Sequence, residues 1–137
     1  MKILVCGDRN WIDPSKIVDV LSQYPQDTAI IHGGARGADN MAGLAAEQLG
    51  LQGPYIYMAK WDLYGNRAGP IRNREMYDTE LPDLVIAFHN NISKSKGTKD
   101  MVEYAKSKGC PVLVYTSEVT KYWDMNPEPP TPTTPDY

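Results

Sequence analysis

Five short runs of apolar and β-branched residues alternate along the chain with four segments in which apolar residues recur at helical spacing. The short runs, at residues 2–6, 28–31, 54–58, 83–88 and 111–115, are apolar enough to be strands buried on both faces. The helical segments begin near residues 14, 38, 69 and 97. Strands that alternate with helices indicate a parallel sheet covered on both sides. We therefore predict an α/β, Rossmann-like, doubly wound five-stranded sheet with strand order 3-2-1-4-5.

Polar segments separate these elements and predict where the loops and the domain boundary lie. Residues 59–68 and 89–96 read as long loops, each following a predicted strand. Five prolines fall within residues 126–137. This composition favours an extended tail over residues 121–137, after a single folded domain at residues 1–120. Packing of the tail along a partner subunit is the alternative.

Composition narrows the classes of function. The chain has 137 residues and a formal net charge of −3, which disfavours a general nucleic-acid binder. No signal peptide and no membrane-spanning apolar run is evident, so we expect a cytoplasmic protein without a membrane partner. Cys6 and Cys110 flank apolar runs and are predicted to be reduced, buried thiols, with no metal site and no cofactor.

A glycine-rich turn joins the second predicted strand to the helix that follows it. Gly33, Gly34 and Gly37 surround Arg36 in this turn. Glycine lets a backbone approach a ligand closely, and a helix N-terminus presents unpaired N–H groups to an anion. Arg36 lies where a cation is unfavourable unless an anion is near. We predict a phosphate-binding loop, with a simple tight turn as the alternative.

Cations are concentrated where the predicted sheet would bind a ligand. Eight of the 14 lysine and arginine residues lie in loops that follow strands or in the next helical turn. Ligands of open α/β sheets bind at this edge, so an anionic ligand is expected. Any single cation is equally compatible with a solvated surface position. The eight are Arg9, Arg36, Lys60, Arg67, Arg72, Arg74, Lys94 and Lys96.

Several of these positions have a specific expected role. Arg72 and Met76 share a helix face, Asn73 lies beside Arg72, and Arg74 points elsewhere and is predicted to be a surface residue. Arg72 suits bidentate phosphate contact, and Asn73 suits a ribose hydroxyl or a neighbouring loop. Trp61 is a candidate for stacking on a base, or else for covering the core. Residues 95–98 offer a second helix start that suits phosphate.

Five separated motifs resemble one known family. They are Cys6-Gly7-Asp8-Arg9, the stretch from His32 to Asp39, Trp61 with Tyr64 and Gly65, Ala68-Gly69-Pro70 with Arg72, Asn73 and Met76, and Ser95 with Gly97, Thr98, Asp100 and Met101. Together they resemble the YspA/YpsA-related branch of the SLOG superfamily, over about residues 2–116. The resemblance implies a Rossmann-like fold, binding of nucleotides or their derivatives, and self-association as a homodimer or higher homo-oligomer.

Departures from a related enzyme family bear on catalysis. Lonely Guy phosphoribohydrolases carry a glutamate where this chain has Met101, and a lysine where it has Asn73. Methionine is neither an acid nor a base, so binding is better supported than that hydrolysis. Asp39, Asp100 and Glu103 remain candidates for a catalytic carboxylate.

The expected function is therefore binding or sensing of a phosphate-bearing nucleotide derivative, similar to ADP-ribose, NAD or a nucleoside monophosphate. A nucleotide-processing hydrolase that cleaves an N-glycosidic bond is the first alternative, and DprA-like binding of single-stranded DNA is the second. The predicted ligand-binding residues are Gly7, Arg9, Gly33, Gly34, Arg36, Gly37, Asp39, Trp61, Arg72, Asn73, Ser95, Lys96, Gly97 and Thr98.

Overall fold

The computed structural model describes residues 1–117, so the predicted tail lies outside the described residues. The strands are β1 (Lys2–Gly7), β2 (Ala29–His32), β3 (Gln52–Ile56), β4 (Leu84–Phe88) and β5 (Val112–Tyr115). The helices are α1 (Pro14–Leu21), α2 (Ala38–Leu49), α3 (Trp61–Tyr64), α4 (Ala68–Glu80) and α5 (Gly97–Ser107). Short 3-10 helices span Gly65–Arg67 and Ile92–Lys94.

The five strands form one parallel sheet in the order β3-β2-β1-β4-β5, which confirms the predicted fold. The central strand β1 pairs with β2 and β4 on its two sides, with Ile3 opposite both Ile30 and Leu84. Ile3, Leu4 and Val5 are fully buried. Parallel sheets bury both faces, which explains why the run of apolar residues in β1 is uninterrupted.

Helices cover the sheet in two layers, as predicted. Ile3 and Val5 pack with residues of α1 and α2, including Ile17 and Ala42, on one face. Leu4 belongs to a second core, which it shares with residues of α4 and α5 on the opposite face. Alternation of side chains along β1 thus feeds two separate apolar cores. Residues 1–117 contain no helix long and apolar enough to span a membrane.

Two predictions about individual elements are wrong. The strand β3 lies two residues earlier than predicted and is largely exposed, with Tyr55 47% and Ile56 52% exposed. Unlike β5 at the opposite edge, which is buried, β3 contributes no residue to either apolar core. The predicted loop 59–68 contains α3, where the N–H groups of Leu63 and Tyr64 both donate to the Lys60 carbonyl at 3.0 Å. Both cysteines are free, but only Cys6 is buried, whereas Cys110 is partly exposed.

Candidate functional site

A cavity of about 620 Å³ opens at the carboxyl ends of β1 and β4. This is the edge at which open α/β sheets bind their ligands. Most of the predicted ligand-binding residues line it: Gly7, Arg9, Asp39, Trp61, Arg72, Asn73, Ser95, Lys96, Gly97 and Thr98. The fold therefore brings residues from five separate segments of the chain into one space.

Arg72 projects from α4 and is tied to the turn that follows β2. Its Nη1 donates to the carbonyl oxygen of Gly33 and, at 3.3 Å, to that of Tyr57. Its Nε donates to Asn73 Oδ1 at 3.0 Å. Burial lowers the pKa of Arg72 from its usual value, and the nearby Asp39 carboxylate opposes that shift. The guanidinium remains charged and is held in one orientation at the cavity wall.

Asn73 and Asp100 join α4 to the first turn of α5. Asn73 Nδ2 donates to the Gly97 carbonyl at 3.3 Å and to Asp100 Oδ2 at 3.0 Å. Arg74 Nη1 donates to the same carboxylate oxygen at 2.9 Å. Arg74 lies at the surface, with its side chain 43% exposed, and pairs there with a carboxylate that the next helix supplies. In place of the expected contact with a neighbouring loop, Asn73 contacts the first turn of α5, and its role at a ribose hydroxyl stays a prediction.

Two N–H groups of the glycine-rich turn at residues 33–37 donate to side chains of the protein itself. The Gly34 N–H donates to His32 Nδ1 at 3.0 Å, and the Ala35 N–H donates to Asp39 Oδ2 at 3.2 Å. The N–H groups of Arg36 and Gly37 have no partner among residues 1–117, but neither residue lines the cavity. The anion that this turn binds in the structure is the carboxylate of Asp39 itself.

The glycines of this turn are required by close neighbours in the fold. A Cβ at Gly33 would lie 2.3 Å from Arg72 Nη1. A Cβ at Gly37, whose φ is +79°, would lie 2.4 Å from the carbonyl oxygens of both Asp8 and Arg9. Glycine permits such positive φ values and close approaches. The turn thus matches the tight-turn alternative, with protein groups at Gly33 and Gly37.

Four predicted ligand-binding residues consequently lie outside the cavity lining: Gly33, Gly34, Arg36 and Gly37. Arg36 is exposed, and its Nη2 donates to Asn10 Oδ1 at 3.4 Å. A long cation at the start of α2 thus extends toward the loop after β1 and away from the helix N-terminus. A direct role of these four residues in ligand binding stays a prediction.

The turn at the start of α5 is built differently. Ser95 Oγ accepts a hydrogen bond from the Thr98 N–H at 3.0 Å, which caps the helix. The N–H groups of Lys96 and Gly97 have no partner within the described part of the chain, and both residues line the cavity. A Cβ at Gly97 would meet no atom within 4 Å. This turn therefore presents N–H groups and open space to the cavity.

Thr98 adds a hydroxyl to the same turn. The residue is 5% exposed and lines the cavity. Its Oγ1 makes no hydrogen bond among residues 1–117 and is not one of the fully buried, unpartnered side-chain atoms of this part of the chain. The hydroxyl is therefore accessible from the cavity.

Asp39 is a buried carboxylate at the cavity wall, 5% exposed, in the first turn of α2. Burial raises the pKa of Asp39 to about 6, although hydrogen bonding by Ala35 and the charges of Arg72 and Arg9 act in the opposite direction. A carboxyl group with such a pKa exchanges its proton near neutral pH. It is thus the only predicted catalytic candidate that the described part of the chain places at the cavity.

The other two predicted catalytic carboxylates lie elsewhere. Asp100 faces α4, where it accepts from Asn73 and Arg74. Glu103 is exposed on α5 and lies 3.9 Å from Lys99, one helical turn away. Neither lines the cavity. Helical spacing alone could not show that the first faces a neighbouring helix and the second faces solvent.

Trp61 and Arg9 form the outer wall of the cavity. The Trp61 side chain belongs to α3, is 47% exposed, and has the Arg9 guanidinium 5.8 Å from its ring centroid. The ring does not cover either apolar core. The ring lies at the cavity and not over a core, and its stacking on a base stays a prediction.

Sequence reasoning missed several lining residues: Cys6, Asp8, Asn10, Ala35, Asn66, Gly69, Pro70, Met76 and His89. His89 directly follows β4, so its position at a carboxyl strand end was a usable signal. Cys6 ends the buried part of β1. Burial raises the pKa of its thiol, and the charge of Asp39 raises it further. No cluster of metal-ligating side chains occurs in residues 1–117.

Comparison with known proteins gives two matches. A family model described as YAcAr, the YspA, cpYpsA-related SLOG family, matches residues 1–64. The Gene 61 protein of Mycobacterium phage D29 is 32% identical over 120 residues, a match that covers 82% of this chain and 94% of that protein. The similarity thus extends over most of both chains.

Proposed function

The chain belongs to the YspA, cpYpsA-related SLOG family, and from that premise we propose that its cavity binds a phosphate-bearing nucleotide derivative. SLOG membership suggests a nucleotide-related function. The observation that carries the proposal is the combination of Arg9, Arg72, Lys96 and the α5 turn around one cavity of about 620 Å³. That volume lies within the range of roughly 300–1,000 Å³ common for small-molecule sites.

The phosphate is proposed to bind at the first turn of α5. This turn supplies N–H groups of Lys96 and Gly97, the hydroxyl of Thr98, and the Lys96 ammonium at the positive end of a helix dipole. The turn after β2 is less suitable, because Asp39 already places a negative charge there. Repulsion from that carboxylate favours the α5 turn.

The base or second sugar is proposed to lie toward Trp61. The ring of Trp61 is half exposed, and Arg9 lies beside it. An aromatic face next to a guanidinium suits a nucleobase, since stacking and phosphate neutralisation can act on one ligand. An ADP-ribose-like, NAD-like or nucleoside monophosphate ligand satisfies this arrangement.

Calorimetry with AMP, ADP-ribose, NAD and cyclic AMP tests the proposal. We expect micromolar or tighter binding of at least one probe, and a loss of about tenfold in affinity for Lys96→Ala. Arg36→Ala is the matched control, because Arg36 is also a cation just before a helix but does not line the cavity. Its affinity should equal that of the wild-type protein. Absence of binding by all four probes, with no nucleotide in native mass spectra of the purified protein, overturns the proposal.

Hydrolysis of the bound nucleotide is a second candidate, favoured by Asp39 alone. Its carboxyl group has a pKa of about 6 and lines the cavity, so it suits proton transfer to a leaving base or from a water. Chromatography of AMP incubated with the protein should then show free adenine, and Asp39→Asn should abolish its release. Binding without any release of base leaves the protein as a binding or sensing module.

A further inference from the structure

The Arg72 guanidinium is fixed by groups from three directions. Its Nη1 donates to the carbonyls of Gly33 and Tyr57, and its Nε donates to Asn73 Oδ1 at 3.0 Å. No hydrogen bond of Nη2 occurs among residues 1–117, while the residue lines the cavity. Fixing one edge of a planar fork leaves the remaining N–H groups in a defined direction.

Of these partners, Asn73 is the side chain whose orientation itself needs explaining. Asn73 is 3% exposed. An amide can present either its oxygen or its NH₂ group to Arg72, and only the oxygen accepts from Nε. Rotation of the amide by half a turn would place two donors against each other.

Asp100 and the Gly97 carbonyl decide that orientation. Both are acceptors, and both lie within hydrogen-bond distance of Asn73 Nδ2, at 3.0 and 3.3 Å. The NH₂ group must therefore face α5, which turns Oδ1 toward Arg72. Asp100 is the stronger of the two acceptors because it carries charge. Arg74 holds the same carboxylate oxygen at 2.9 Å from its exposed side.

We propose that Asp100 is a positioning residue that orients the Asn73 amide and, through it, holds the Arg72 guanidinium toward the ligand cavity. The effect of Asp100 on ligand affinity rests on the proposed function. Its effect on Arg72 does not, because the chain of contacts exists without a ligand.

Three variants separate this role from general stabilisation. Asp100→Ala removes the charged one of the two acceptors of Asn73 Nδ2, together with the partner of Arg74. Asp100→Asn keeps a side-chain oxygen that accepts from Asn73 Nδ2 and loses only the charge. Arg74→Ala removes the ion pair but leaves the contact between Asp100 and Asn73. If Asp100→Ala does not fold, Asp100→Ser replaces it, since its side chain is too short to reach Asn73.

The first measurement is NMR of the arginine Nε–H groups, with Arg72 assigned through Arg72→Lys. Wild type, Asp100→Asn and Arg74→Ala should each show a slowly exchanging Arg72 Nε–H signal. In Asp100→Ala and Asn73→Ala, the Arg72 Nε–H proton should exchange with water about tenfold faster. The proposal is overturned if Asp100→Ala retains the wild-type signal, or if Arg74→Ala loses it as Asp100→Ala does.

Calorimetry with AMP then tests the consequence for binding. Asp100→Ala and Asn73→Ala should each weaken AMP about threefold to tenfold, and the double variant should be no weaker than Asn73→Ala. Additive losses in the double variant contradict action through Asn73. If wild type binds none of the four probes, the proposed function fails, whereas the NMR result still decides the positioning role.

Discussion

Two turns at helix starts, each containing glycine, lie at the same edge of the sheet and make different contacts. The turn at residues 33–37 precedes α2, and the turn at residues 95–98 runs into the first residues of α5. At the first, a Cβ on Gly33 or Gly37 would collide with protein atoms, whereas at Gly97 it would meet none within 4 Å. The first turn is filled by the fold, and the second faces the cavity.

The acidic residue that follows each turn explains the contrast. Asp39 folds back onto its own turn and accepts from the Ala35 N–H. Asp100 turns away from its turn and accepts from Asn73 and Arg74 of α4. One turn thus has an internal carboxylate as a partner, whereas Lys96 and Gly97 of the other line the cavity. A glycine motif before a helix therefore indicates that other atoms approach the backbone closely. The neighbouring residues determine whether those atoms belong to the protein.

The largest expected effect separates the two turns by stability. Gly37→Ala forces a side chain onto a φ of +79° and against two carbonyl oxygens, so unfolding free energy should fall by roughly 2–5 kcal/mol. Gly97→Ala meets open space in a helical position and should change it by less than about 1 kcal/mol. Urea denaturation of both variants measures the difference. Equal losses in the two variants would contradict the contrast between the turns.

Asp39 gives the next largest effect, through pH. Its pKa is about 6 in the folded protein against 3.8 in the unfolded chain, so the folded state binds the proton more tightly. The carboxyl group therefore costs no stability below pH 4, and its cost grows as pH rises to about 6. Above that pH, Asp39→Asn should be more stable than wild type by up to about 3 kcal/mol. Denaturation of both proteins from pH 4 to 8 checks this.

His32 acts in the opposite direction over nearly the same range. Burial, with the charge of Arg72, lowers the pKa of His32 from 6.5 to about 4. The contribution of His32 to the free energy of unfolding is at its full value above pH 6.5. It is lost as pH falls toward 4, because the unfolded chain then binds the proton more tightly than the folded protein does. The two slopes oppose each other in wild type, so Asp39→Asn should reveal a steeper rise of stability with pH. A variant curve parallel to that of wild type would refute the assignment of Asp39.

The smallest expected effect concerns Glu103, which the sequence offered as a catalytic carboxylate. Its side chain is exposed and paired only loosely with Lys99 at 3.9 Å. Surface pairs of this kind contribute about 0.5 kcal/mol or less. Glu103→Gln should leave both unfolding free energy and AMP affinity within error of wild type. A clear loss of AMP affinity would contradict the proposed binding site, because Glu103 does not line the cavity.

Local patterns were enough to predict the sheet and much of the cavity. The apolar runs around Ile3 and Val85 predicted the buried strands, and the carboxyl-edge rule correctly placed Arg9, Arg72 and Thr98 near one another. The exposure of β3 was not predicted, because coverage of a strand depends on tertiary packing, which the strand's own composition does not contain.

Contacts between distant elements set the limit of prediction at the site. Gly33 is glycine because Arg72, 39 residues later, lies against it. Asp100 meets Asn73 across 27 residues, and periodicity within α5 carries no information about α4. The contacts of the loop at 33–37 and of Asp100 therefore could not be predicted from the sequence, because they depend on how the helices pack against one another.

The most direct test of the central claim is an NMR titration of the ¹⁵N-labelled protein with AMP, following the backbone amides of both turns. The account predicts saturable shifts of the Lys96 and Gly97 amides, while those of Arg36 and Gly37, which also have no partner within residues 1–117, move little. Shifts at Arg36 and Gly37 with the α5 turn unmoved would contradict it, because the phosphate would then bind at the turn after β2.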